Sequence, residues 1–353
     1  MQINIILIIF IAASLFTGIL GLLLIYMETY LPILITRTFR YGKFCITYQS
    51  IITHAEVPKR ELEEEMEKMG VSEKPTRRIK ELYTGTKNVV RIKNHNTKEF
   101  WTVRGVRQRC PLSPTLFNIY VAGLEGELRK GQAGAIAIGG KKVWSLTYAD
   151  DIVLMADREE ELKEMLRRLN KFLKEAELEL STEETKIVVF KKRRNKMRQR
   201  KCKWGEEGLE EVDEIRYLGY ILQKNGSDEK HIQDRKKIAK IVMKKTWSVG
   251  ERIFKQDYKR RMKMFGALVE SVVLFGAEVW GWNMEERLDR IKRRYVKWIL
   301  GLDLTTPNYI LIEECKLEEI KEKALKRAAS YEEKNLESKK ELVKECIKKR
   351  ERN

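Results

Sequence analysis

Apolar residues are distributed unevenly along the chain. From Ile3 to Met27 no residue is charged, and the run of Ile, Leu, Phe, Ala and Gly is long enough to cross a bilayer as one helix. After about residue 50 the pattern becomes charged and amphipathic. Glu61 to Met69 sets Leu62, Met66 and Met69 among alternating acids and bases, which predicts a helix that Gly70 stops. A second helix follows through Arg77, Ile79, Leu82 and Tyr83. Period-two alternation in 88–93 and 99–103, on either side of Asn94-His95-Asn96, predicts a hairpin. Leu116 to Leu128 reads as one helix with Leu116, Ile119, Tyr120, Gly123 and Leu124 on a single face. Val143 to Leu146 and Ile152 to Met155 are rich in β-branched and aromatic residues and read as strands. Asp157 is placed as the cap of a helix carrying Leu162, Met165, Leu166, Leu169, Phe172, Leu173 and Ala176, with Glu160 completing a capping-box-like start. Leu178 to Phe190 returns as a turn and strand. Tyr217 to Leu222 is a strand ending at the turn Asn225-Gly226, and Ser227, Asp228 and Glu229 open a helical remainder. Residues 316–353 read as a solvated, charged helix with a frayed end.

Composition narrows the partners. Lys and Arg number 71 against 52 Asp and Glu, a net charge of +19 over 353 residues, which suggests nucleic acid or an anionic membrane surface. Five scattered cysteines without a C-x-x-C predict reduced thiols and no structural zinc. Three histidines give no support to a His-centred triad. Arg37, Arg40 and Lys43 follow the N-terminal apolar run, so the positive-inside rule puts the body on the cytoplasmic side of a single-pass span. The basic run from Lys191 to Lys203 is either a phosphate-contacting patch or a solvated loop. Basic helices bearing Trp247, Tyr295 and Trp298 are open to the same two readings.

Candidate chemistry centres on Thr147-Tyr148-Ala149-Asp150-Asp151-Ile152, two adjacent carboxylates pinched between apolar strands. Side by side, they repel each other unless a cation neutralises them, which reads as a site for Mg2+ or Mn2+. The plain alternative is an ordinary polar turn. A second landmark, Gly105-Val106-Arg107-Gln108-Arg109-Cys110-Pro111-Leu112-Ser113-Pro114, is a basic turn before a helix, where backbone N–H groups and Arg107 suit phosphates.

From about Glu56 to Tyr309 the chain resembles the reverse transcriptase of insect non-LTR (LINE-type) retrotransposons. The resemblance rests on GVRQRCPLSPTLFN, YADD between apolar strands, LSTEETKIVVF, YLGYIL, WSVGERIF, LFGAEVWGW and YVKWILGLDLTTPNYI, in the family's order. It implies an α+β fold: a partial polymerase palm over 51–226, of the right-hand reverse transcriptase kind with the fingers missing. An all-α thumb and connection region over 227–310 follows, then a charged helical tail over 311–353, and a single transmembrane helix within 1–50 precedes the palm. The implied function is RNA-directed DNA polymerisation at a two-metal site, with Mg2+ or Mn2+, an RNA template, a DNA primer and dNTPs. The resemblance makes Asp150 and Asp151 the metal-binding catalytic pair and puts Lys186 near the triphosphate. Arg107, Gln108 and Tyr148 would lie beside the nucleotide and template, and Tyr217, Leu218 and Gly219 would form the primer grip.

Three departures qualify that picture. The family carries another aspartate in a pattern like AFD-x-VPRE-x-L, and in the matching segment, 53–62, Ala55 stands where it belongs. No aspartate precedes Asp150, and the nearest substitute is Glu56, which a strand would turn to the opposite face. Arg109 replaces a loop glycine. The apolar segment stands in place of the fingers. The expectation is therefore a catalytically dead polymerase, a truncated copy joined to a foreign N-terminal segment. The competing expectation is a membrane-anchored basic nucleic-acid-binding or scaffold protein. The body is expected at a membrane through 3–27, or intracellular or nuclear where that segment is not part of the protein.

Overall fold

A computed structural model describes residues 46–52, 59–83, 86–93, 95–102, 110–132, 134–138, 140–190 and 202–351. The apolar run 3–27, Ala55 and Glu56, Arg107 to Arg109, and the basic run 191–201 lie outside the described residues. Among the described residues no single helix is long and apolar enough to cross a membrane. The chain divides into two units, with the boundary in the described chain between Ile215 and Arg216.

The first unit begins with β1 (Ile46–Ile52), α1 (Lys59–Lys68) and α2 (Glu73–Tyr83). A long hairpin follows, made of β2 (Thr86–Asn88), β3 (Arg91–Ile92), β4 (His95–Asn96) and β5 (Phe100–Thr102). Then come α3 (Ser113–Tyr120), α4 (Leu124–Lys130), a hairpin of β6 (Ile136–Ile138) with β7 (Lys141–Val143), and the pair β8 (Ser145–Tyr148) and β9 (Asp151–Met155). After α5 (Glu159–Glu175), the strands β10 (Glu179–Leu180), β11 (Lys186–Val188), β12 (Lys203–Trp204), β13 (Glu207–Gly208) and β14 (Glu210–Glu211) complete the unit.

The main sheet runs β14-β11-β1-β9-β8, and β1 at its centre pairs antiparallel with β9 and β11. Alternation along these strands sorts their side chains. Ile152, Leu154, Ile187 and Val189 join Leu116, Phe117, Leu162, Met165, Leu166, Leu169 and Leu173 in one apolar core, so α3 and α5 cover that face of the sheet. Asp151 belongs to the opposite face.

Two details differ from the sequence reading. The run from Leu116 breaks at Val121 to Gly123, and Val121 N–H bonds to Phe117 O before α4 restarts at Leu124. Arg158, not Asp157, is the cap residue of α5, with no side-chain cap bond, so the capping box does not form. Three acids in the first turn, Glu159, Glu160 and Glu161, favour the helix start through its dipole instead.

The boundary falls within β15 (Glu214–Tyr217), which pairs with β16 (Tyr220–Gln223), and the second unit continues with α6 (Glu229–Ile253) and α7 (Tyr258–Phe265). A π-helical turn, Gly266–Glu270, leads into α8 (Ser271–Val273) and α9 (Ala277–Trp280). The rest is α10 (Glu286–Ile299), α11 (Asn308–Glu314), α12 (Ile320–Leu336) and α13 (Glu341–Glu351). Ser227 Oγ accepts from Glu229 N–H at 3.2 Å, which starts α6 where Ser-Asp-Glu predicts.

Buried glycines and polar groups lock this unit. A Cβ on Gly281 would stand 2.3 Å from Ala324 O, so α12 approaches that turn as closely as backbone allows. Ile320, Ala324 and Ala328 are buried at four-residue spacing, which corrects the reading of this stretch as a solvated tail. Glu270 is buried between Lys292 (2.7 Å) and Lys323 (2.6 Å). Burial opposes its charge, the two lysines outweigh burial, and its pKa lies below the ordinary value. Tyr295 is wholly buried and stacks on Phe265 with ring centroids 4.6 Å apart, while Trp247 meets it edge-on. Tyr295 and Phe265 pack the interior of the unit, and Trp247 and Trp298 are half-buried.

Candidate functional site

The paired acids sit where the strand pattern places them. Tyr148 opposes Asp151, so Ala149 and Asp150 form a two-residue turn between β8 and β9. Ala149 adopts φ 51, a left-handed conformation that costs a residue with a Cβ about 1–2 kcal/mol. The chain holds it there by one bond from a distant element: Ala149 N–H donates to Asn118 Oδ1 at 2.9 Å. Asn118 lies on α3, whose Leu116, Phe117 and Tyr120 are buried in the core. The core therefore positions the helix, the helix positions Asn118, and Asn118 pins the turn. Asp150 and Asp151 are half-buried, neither lost in the core nor fully in water.

Register links the other parts of this face. On β1, Ser50 opposes Asp151 and Tyr48 opposes Lys186, so Asp151 and Lys186 share one face of the sheet. Strand spacing and rise set their Cα atoms roughly 12 Å apart. Lys186 donates from Nζ to Glu210 Oε2 at 2.6 Å, on the neighbouring strand β14. Its ammonium is thus engaged toward the β14 edge of the sheet, and the acids lie on β9 and the turn before it. Tyr148 is half-buried at the end of β8. Arg107 and Gln108 are outside the described residues.

The donor set decides what metal chemistry is feasible. Two carboxylates suit a hard divalent cation that takes its other ligands from water and from phosphate oxygens, the usual habit of Mg2+. Among the described residues no group of three or more His, Cys, Asp or Glu side chains could hold a metal by itself. The position on β1 directly across from Asp151 is Ser50, not an acid.

Tyr217, Leu218 and Gly219 are found in the second unit, as a second two-residue turn. Leu218 has φ 45 and Gly219 has φ 79, and Tyr217 is wholly buried. Beside that turn lies a polar knot that sequence reasoning missed. Tyr220 Oη donates to Asp228 Oδ1 at 2.8 Å, and Asn283 Nδ2 donates to Asp228 Oδ2 at 3.0 Å. His231 stacks on Tyr220 with ring centroids 3.8 Å apart. Its Nδ1 accepts from Ile221 N–H at 3.3 Å, which leaves Nε2 as the donor to Phe275 O at 3.1 Å. Burial is the main cause that lowers its pKa, to about 4, so the ring is neutral. A single histidine a few residues after YLGYIL carries no spacing signal, and only the fold brings these partners together.

Asn118 was equally unmarked, although a polar residue between Phe117 and Ile119 on an apolar helix is the trace it leaves. Glu127 is a further buried acid, bonded to Lys130 at 2.8 Å and Arg168 at 3.1 Å, with Lys171 at 3.4 Å. These bonds lower its pKa to about 2 and tie α4 to α5. It is structural cement away from the acidic turn.

Comparison with known proteins gives this geometry a family. Residues 54–222 match the family model described as reverse transcriptase (RNA-dependent DNA polymerase). Over 175 residues the chain is 27% identical to a transposon-derived protein of Caenorhabditis elegans, covering 48% of this chain and 60% of that protein. It is 31% identical over 146 residues to the retrovirus-related Pol polyprotein of type-1 retrotransposable element R2 from Nasonia vitripennis, covering 38% of this chain and 14% of the polyprotein. The corresponding R2 polyprotein of Popillia japonica is 38% identical over 81 residues, 23% of this chain and 13% of its own length. The chain thus spans less than two thirds of each of these relatives. A solved telomerase from Candida albicans, in complex with a telomeric RNA fragment, aligns at 11% identity over 88% of this chain and 53% of its own, with a TM-score of 0.30, too slight a likeness to carry weight. The segment 54–222 belongs to the reverse transcriptase family. Two of the relatives that it resembles are insect Pol polyproteins of type-1 retrotransposable elements R2.

Proposed function

We infer that this chain is an RNA-directed DNA polymerase by descent that binds nucleic acid and no longer transfers nucleotides. The observation that carries the reading is the incomplete acid set. In-line displacement at a phosphate needs metal ions on both the attacking and the transferring groups, and the family that the chain resembles supplies a further aspartate from an earlier strand to help hold them. This chain has Ala55 at that position by resemblance, Ser50 across from Asp151, and no aspartate before Asp150. Asp150 and Asp151 would hold one Mg2+ with water and phosphate oxygens completing its shell. Bound there, the ion would neutralise phosphate charge. The chain's own part is to fix the two carboxylates through Asn118 and to keep both half-exposed. Net charge of +19 supports a polyanionic partner, for which an RNA template and DNA primer are the family's candidates.

Template-primed dNTP incorporation tests the reading. The expected result is no incorporation above background with Mg2+ or Mn2+, alongside salt-sensitive binding of RNA or DNA. Incorporation that disappears on Asp150→Ala would overturn it.

A second reading is favoured by the uncharged run from Ile3 to Met27: a nucleic-acid-binding body tethered to a membrane, facing the cytoplasm. Long-read transcript sequencing decides it. One molecule running from the codons of Ile3 to those of Leu62 supports the tether, and separate transcripts remove it.

A further inference from the structure

The hairpin β2–β5 breaks the rule that a two-stranded ribbon needs a covered apolar face. A pair of strands alone is marginal in water, and stability requires a third strand or packing against another element. Here Val89, Val90, Ile92, Phe100 and Trp101 are all exposed, with Ile92 at 61% and Trp101 at 59% of their full surface. Register divides them between both faces: Trp101 opposes Lys87, and Phe100 opposes Asn88. Neither face is the inner one.

Charge identifies what suits such a surface. Residues 86–102 carry Lys87, Arg91, Lys93 and Lys98 against Glu99 alone. Glu99 is bridged to Lys87 at 2.9 Å, and Lys87 Nζ sits 5.0 Å over the Trp101 ring. Exposed aromatics flanked by cations, with almost no acid between them, are complementary to a chain that offers flat rings and phosphates in alternation. A lipid surface would want an apolar edge gathered on one side, and a second copy of this chain would bring the same positive charge to the contact.

We propose that the hairpin is a binding surface for single-stranded nucleic acid, with Trp101 and Phe100 as stacking platforms for bases and Arg91, Lys93 and Lys98 as phosphate contacts. It rests on the reading that the chain's partner is a nucleic acid, and it needs neither Mg2+ nor the acidic turn. Lys87 holds one side of the Trp101 ring, which leaves the other for a base. Duplex nucleic acid hides its base faces and binds this surface less well.

The experiment is fluorescence anisotropy of the full chain with a fluorescein-labelled oligouridylate of about 20 nucleotides, in EDTA, across a salt series. The double variant Phe100→Leu/Trp101→Leu keeps apolar bulk and loses stacking. It should weaken binding at least about tenfold with the salt slope unchanged. The triple variant Arg91→Gln/Lys93→Gln/Lys98→Gln should lower the slope of log Kd against log salt by about 2, near 0.7 for each phosphate that is no longer neutralised. Binding within twofold of wild type for the double Leu variant overturns the inference and leaves the reading of a nucleic-acid partner standing. Absence of binding by the wild-type chain overturns both. A loss of affinity that follows a change from dimer to monomer by light scattering overturns it in favour of self-association.

Discussion

Two turns of this chain are built alike and secured differently. Tyr148-Ala149-Asp150-Asp151 and Tyr217-Leu218-Gly219-Tyr220 each join two short strands by two residues, and each begins with a non-glycine residue in left-handed conformation, φ 51 at Ala149 and φ 45 at Leu218. The first keeps its acids half-exposed, and its backbone is pinned from a distant helix by Asn118. The second commits its side chains. Tyr217 and Tyr220 are buried, Tyr220 is bonded to Asp228 and stacked on His231, and Gly276, with φ 70, leaves room for the Tyr220 ring. One turn is thus tied through a backbone amide to a helix 31 residues earlier, and the other through side chains that it buries.

The largest expected effect tests the second turn. Gly276→Ala would put a Cβ 2.7 Å from the Tyr220 ring at a φ that alanine disfavours, and should cost about 3 kcal/mol or more. Urea denaturation read by far-UV circular dichroism measures it, and a loss under about 1 kcal/mol would mean that the ring moves freely aside.

Acid should act on the same turn with nearly the same force. The unfolded chain protonates His231 near its ordinary value of about 6.5, and the folded chain not until about 4. Between those values unfolding takes up a proton, so this contribution is complete above about pH 6.5 and falls away as pH drops, by about 3 kcal/mol at pH 4. Urea midpoints should slope across that window, and His231→Gln should flatten the slope. An unchanged slope would place the acid sensitivity elsewhere.

Removing the outside pin should cost less. Asn118→Ala leaves the Ala149 N–H without its acceptor and should destabilise by about 1–2 kcal/mol, while any binding of Mg2+ at Asp150 and Asp151, read by NMR titration, weakens. Equal metal response in the two proteins would show that the turn holds itself. The smallest effect is a gain: Ala149→Gly relieves the left-handed strain and should restore up to about 1 kcal/mol in the Asn118→Ala background. If glycine is neutral there, the turn relaxes once its pin is gone.

Legibility in the sequence followed the same division. The acidic turn, the strands beside it and the amphipathic α5 were plain because period-two and period-3.6 patterns are local. The α12 interface was not, because it is made of Gly281, Ala324 and Ala328, small residues that leave hardly any hydrophobic signal among lysines and glutamates. The break after Tyr120 was hidden by an apolar pattern that runs through it, with Gly123 as its faint mark. Resemblance puts Lys186 near the triphosphate, and its bond to Glu210 depends on the parallel pairing of β11 with β14, which no local pattern announces. Asn118 and His231 act through partners 31 and 44 residues away, at distances where composition and periodicity are silent.

That separation also orders events in time. Strands β8 and β9 are neighbours in the chain and can zip within microseconds, but the Ala149 amide finds its acceptor only after the intervening loop closes and α3 docks. During synthesis α3 emerges first and waits, and the acids become a defined pair at the moment of docking. The Ala149 amide proton is therefore a clock: in pulsed hydrogen exchange its protection should arrive with that of α3 and after that of the strand amides around it.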